Sequence, residues 1–118
     1  MKVFAPTFLL LIAGPALANP TPAEELMVPP PDATHYIIVS NTNTHGDEWR
    51  WVTEEGAIGF RKSQSLRGWV TETDALVTLD DDGDPSSIRI RGVTPNGDAA
   101  ETMGTGPDGI YWDSGADR

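Results

Sequence analysis

Asp80, Asp81, Asp82 and Asp84 crowd around Gly83, the densest cluster of metal-ligating groups in the chain. An EF-hand calcium loop needs oxygen ligands at positions 1, 3 and 5, glycine at 6 and a bidentate glutamate at 12. With Gly83 at position 6, Asp80 and Asp82 fall at 3 and 5, Thr78 at 1 and Arg89 at 12. A guanidinium cannot ligate a cation, so the cage does not close. Asp80, Asp82 and Asp84 remain candidates for a looser calcium site. The simpler reading is a hairpin turn, since Asp-Gly is a preferred turn dipeptide and Pro85 ends it. In that hairpin Val77 and Leu79 face Ile88 and Ile90, and Arg89 and Arg91 point outward.

Other reactive groups are sparse. His35 and His45 lie ten residues apart, without the close histidine spacing of a hydrolytic zinc site. There is no cysteine and no serine in a G-x-S-x-G elbow, and the many carboxylates single out no acid/base pair. These residues nominate no catalytic group, metal centre or cofactor. Trp49, Trp51, Trp69 and Trp112 are many for a chain of 118 residues. Exposed, they would form a stacking platform for sugars or aromatic ligands. Inside a sheet they would supply large buried area, which is the commoner use.

The elements that would position these residues are strands. "MKVFAPTFLLLIAGPALA", residues 1–18, has one positive charge, a short apolar run and an A-x-A-like ending, the layout of a secretory signal peptide. Its apolar run is too short to span a membrane. Residues 19–34 hold five prolines and read as an extended linker, on which Leu26, Met27 and Val28 can still pack. From His35 to Arg118 short alternating runs are separated by turn residues. They predict one all-β domain, an antiparallel meander of about six to eight strands forming a curved sheet or small sandwich. In "EWRWVT", Trp49, Trp51 and Thr53 share one face and Arg50 and Val52 the other. A small exported domain without disulfides must be held by packing alone.

The formal charge is −10, and loss of the leader with Lys2 makes it one unit more negative. Such a surface repels phosphate backbones and anionic bilayers, which argues against nucleic-acid and membrane partners. An exported protein of the bacterial periplasm or the medium fits these features.

The order of motifs carries a resemblance. "HYIIVSNTNTHGDEW", "EEGAIGFRKSQS", "LVTLDDDGDPSSIRIRG", "TPNGDAAETM" and "GPDGIYWDSGADR" together resemble the N-terminal region of exported bacterial metal-dependent amidohydrolases of the imidazolonepropionase-like type. The matching positions are Asp82, Gly83, Asp84 and Pro85, then Ile88, Ile90 and Gly92, Glu101, and finally Asp108, Gly109 and Trp112. Met103 departs from the aromatic usual there. The resemblance implies that the metal ligands belong to a barrel outside these residues, so no catalytic residue carries over. The expected function is therefore a non-catalytic accessory domain whose apolar sheet face packs on a hydrolase barrel or on another copy of itself. The alternative is an independent periplasmic binding module, using exposed tryptophans and the acidic edge for a small or cationic ligand.

Overall fold

A computed structural model describes residues 19–114; the expected leader lies outside the described residues. Among the described residues eight strands follow one another: β1 (Thr34–Val39), β2 (Thr44–Val52), β3 (Ile58–Leu66), β4 (Trp69–Leu79), β5 (Pro85–Thr94), β6 (Gly97–Asp98), β7 (Glu101–Gly106) and β8 (Gly109–Ser114). They form a single open antiparallel sheet in the order β1-β2-β3-β4-β5-β7-β8, with the short β6 pairing to the far end of β5. The all-β meander read from the sequence is the fold, and of the two forms expected it is the open sheet.

Turn chemistry fixes the register. Leu66 pairs with Trp69 across a two-residue loop, Arg67-Gly68, and both loop residues have positive φ (53° and 82°). That is the primed turn whose twist matches its flanking strands, here with arginine where asparagine or aspartate is usual. At the acidic turn Asp80 Oδ1 accepts from the amides of Asp82 and Asp84, both at 2.9 Å, and Gly83 adopts φ 86°.

Residues directly opposite on neighbouring strands share a face, so the register assigns every side chain to one side of the sheet. The first side carries a polar ladder at its centre, with Arg61 opposite Asp74 and Asp74 opposite Arg91. Residues 22–31 run across this side as a strap. Pro22 is extended (φ −67°, ψ 155°), Ala23–Glu25 form one 3-10 turn, and Leu26 is buried at 4 % exposure. The proline-rich stretch is thus extended as its composition dictates, yet docked on the sheet rather than spanning free space. Leu26→Ala should lower the unfolding free energy by about 2–3 kcal/mol, measured by urea titration.

Aromatic rings lie over glycines on the same side. Trp51 stands opposite Gly59, and Tyr111 opposite Gly104; a Cβ on either glycine would overlap the ring. Each ring covers backbone that glycine alone would leave bare.

The second side is apolar. One row crosses six strands as Val52, Ile58, Val77, Ile88, Met103 and Trp112. The row beside it reads Arg50, Phe60, Ala75, Ile90 and Glu101. Among the described residues only Leu26 and Ala57 are buried apolar side chains. The sheet's main hydrophobic surface is therefore only partly shielded within one chain.

Candidate functional site

The acidic turn holds the chain's densest group of potential metal ligands, Asp80, Asp81, Asp82 and Asp84. Asp80 spends one carboxylate oxygen on two amides, and its own amide donates to the Asp84 carbonyl at 2.8 Å. The side chain thereby serves as an Asx-type turn brace. Among the described residues no three histidine or acidic side chains are grouped so that they could hold a metal ion.

Charges concentrate instead under the strap. Asp74 is 1 % exposed at the centre of β4, where alternation and register turn it toward the strap. Arg91 grips it with two nitrogens, Nε to Oδ1 at 3.1 Å and Nη2 to Oδ2 at 2.6 Å, and the Met27 amide donates to Oδ2 at 2.8 Å. Arg91 Nη2 also donates to the Glu25 carbonyl at 3.3 Å. Burial pushes the Asp74 carboxyl up, but the Arg91 hydrogen bond, the Met27 amide and the charges of Arg91 and Arg89 outweigh it. The group ends below its ordinary value. The sequence reading placed Arg91 pointing outward; it is on the opposite side from the isoleucines, as expected, but paired beneath the strap.

Beside this pair, Arg61 Nη2 sits 2.8 Å from Glu72 Oε2, and Ser63 Oγ donates to Glu72 Oε1. Further out, His35 stacks on Trp49 with centroids 5.1 Å apart, and its Nε2 lies 2.7 Å from Asp47 Oδ1. Asp74, Arg91, Arg61 and Glu72 are thus committed to one another or to backbone. Their chemistry is to hold the strap and centre the sheet. Asp74 and Arg91 are 17 residues apart, and nothing in their local sequence marks them as a pair.

The four tryptophans do not form one platform. Trp49 and Trp51 are partly buried on the strap side, where alternation places both. Trp112 is 59 % exposed at the end of the long apolar row, and Trp69 is 62 % exposed at the β3–β4 hairpin. Trp69 borders an open concavity of about 690 Å³ with Arg67, His45 and Ser40, in which His45 Nε2 lies 2.8 Å from Ser40 Oγ. That concavity holds a cation and an imidazole; the aspartates of the acidic turn are not part of it.

The feature with the largest surface consequence is the apolar side. Val77 and Ile88 are directly opposed, as are Ala75 and Ile90. Leu79 falls beyond an irregularity after Thr78 and pairs with Pro85 rather than with either isoleucine. Ionised side chains on this face are few: Glu48 stands opposite Lys62, and Arg50 and Glu101 flank the shorter row. The excess negative charge lies elsewhere, in segments such as Glu54–Glu55 and Asp80–Asp84. The face is thus largely apolar, with the excess charge placed in the turns around it. Comparison with known proteins returned no matching family model, no matching curated protein and no matching solved structure.

Proposed function

We propose that this chain is a non-catalytic, exported packing module that works by burying one side of its sheet against another folded surface. The observation that carries this is the uninterrupted apolar row from Val52 to Trp112, on a sheet whose opposite side is already strapped. A single-layer sheet with one apolar side is stable only when that side is covered, since sheets bury such faces against a second layer. The resemblance to the N-terminal region of metal-dependent amidohydrolases supports the same role, in which a sheet of this kind accompanies a catalytic barrel and contributes no metal ligand.

The chain has no cysteine, which makes accessibility simple to read. Ile88→Cys reports on the apolar side and Thr102→Cys, exposed on the other side, serves as the control. In cells producing the full chain, a thiol-reactive maleimide should label Cys at 88 at least about tenfold more slowly than Cys at 102. Equal labelling rates would mean that the face stays wet, and the reading would be lost.

A binding-module reading has one observation in its favour, the exposed Trp69 beside Arg67 and His45. Those neighbours suit an anionic or neutral ring-bearing ligand better than a cationic one.

A further inference from the structure

The covering surface can be named from the register. We propose that it is a second copy of this chain, packed face to face about a two-fold axis running along β4; this rests on the packing-module reading above and specifies its occupant. Take β4 as the centre of the apolar side. β3 and β5 then lie one strand to either side, and β2 and β7 two strands away. A two-fold axis lying between the sheets and parallel to β4 exchanges left for right and keeps each row at its own level. Arg50, on β2, therefore comes to lie opposite Glu101 of the other copy's β7, and Glu101 opposite the other copy's Arg50.

The remaining positions of the two rows from β2 to β7 are compatible with the same operation, while Trp112 on β8 lies beyond them. Phe60 meets Ile90, Ile58 meets Ile88 and Val52 meets Met103, while Ala75 and Val77 meet themselves on the axis. The residues on the axis are small or branched and uncharged, which lets two sheets approach to about 10 Å. Glu48 stands opposite Lys62 within one copy, and the other two ionised groups of the face, Glu101 and the Arg50 that donates to the Tyr36 hydroxyl at 2.9 Å, are the two that the axis brings together. Within the shorter row opposite charges meet twice, which favours this pairing over one that opposes like charges there. Because strands keep their direction under this axis, the result is an aligned β-sandwich.

The size is adequate. Five strands about 4.8 Å apart, β2 to β7, and three rows of side chains give a footprint of roughly 500 Å² per copy, hence roughly 1,000 Å² for the pair before side-chain relief is counted. That reaches the lower bound for a specific interface.

Sedimentation equilibrium of the full chain tests this. The expected result is a species of twice the chain mass at micromolar concentration. Val77→Lys places two cations on the axis and should weaken association about a hundredfold. Arg50→Glu alone and Glu101→Arg alone should each weaken it about tenfold, and the double charge swap should restore it to within about threefold of wild type. Circular dichroism confirms that each variant keeps its strands, and the charge variants stand if Val77→Lys does not fold. A dimer that ignores Val77→Lys, or a double swap no better than the sum of its parts, overturns the proposal. If the purified chain is monomeric while Cys at 88 stays protected in cells, another occupant covers the face, and only the second copy is rejected. A monomer that also labels at 88 overturns the packing-module reading with it.

Discussion

Asp74→Ala is expected to lower the unfolding free energy by about 3 kcal/mol, a large part of what a small domain has. The substitution leaves the Arg91 guanidinium facing a small cavity and removes the acceptor of the Met27 amide, both beneath the strap. Removing the buried partner costs more than the pair was worth, because the Met27 amide and the sheltered side of Arg91 lose their acceptor. In thermal scans followed by circular dichroism the midpoint should fall by roughly 12 °C or more.

The same residue makes stability depend on pH in a definite direction. The Asp74 carboxyl is held below its usual value in the folded protein, so the folded state binds its proton less readily than the unfolded chain does. Its stabilisation is fully present above the unfolded pKa, about 3.9, and is lost as pH falls through the lower folded value. Urea titrations of wild type and Asp74→Ala should therefore differ by a constant amount near neutrality and converge below about pH 4. A gap that did not narrow at all as the pH fell below about 4 would show that the charge on Asp74 is not what holds the strap.

Gly92→Ala should be comparably severe. Gly92 has φ 117°, a conformation that L residues rarely adopt, and a Cβ there would overlap the Glu72 carbonyl oxygen on β4. The position is also where β5 changes neighbours, from β7 at Ser87–Ile90 to β6 at Val93–Thr94. Relief requires moving β4 and β5 apart, the pair that holds the centre of the sheet. The expected loss is about 3 kcal/mol or more. Gly56→Ala is the matched comparison, for Gly56 has φ 85° with open space around its Cα; it should cost only about 1 kcal/mol. Equal losses at both positions, measured by urea unfolding, would show that backbone strain alone accounts for Gly92.

Much of the sheet was legible because it is written in local terms. Alternation in "EWRWVT" assigned Trp49 and Trp51 to one side and Arg50 and Val52 to the other, and Asp-Gly marked the acidic turn. The pairings that matter most for function were not legible, because they depend on accumulated register. Asp74 and Arg91 meet only once β4 and β5 are aligned to the residue. The level shared by Arg50 and Glu101 needs four consecutive ladders to be known. Prolines advertise an extended backbone but not what it lies on; the apolar run Leu26, Met27 and Val28 is the one hint of docking, and of these Leu26 is buried while Val28 is exposed.

The meander also orders the folding reaction in time. Each strand pairs with one adjacent or nearly adjacent in sequence, and the hairpin loops at β3–β4, β5–β6 and β7–β8 hold two residues each. Closing such loops costs little chain entropy, so the sheet can zip outward from the Arg67-Gly68 turn faster than all-β topologies with distant pairings. The strap is the exception. Its bonds join residues 47 and 66 positions apart, Met27 to Asp74 and Arg91 to Glu25, and so form only after the sheet exists. The stability that Leu26→Ala removes should therefore surface as faster unfolding with an unchanged refolding rate, making the proline-rich strap the latch of this fold rather than its seed.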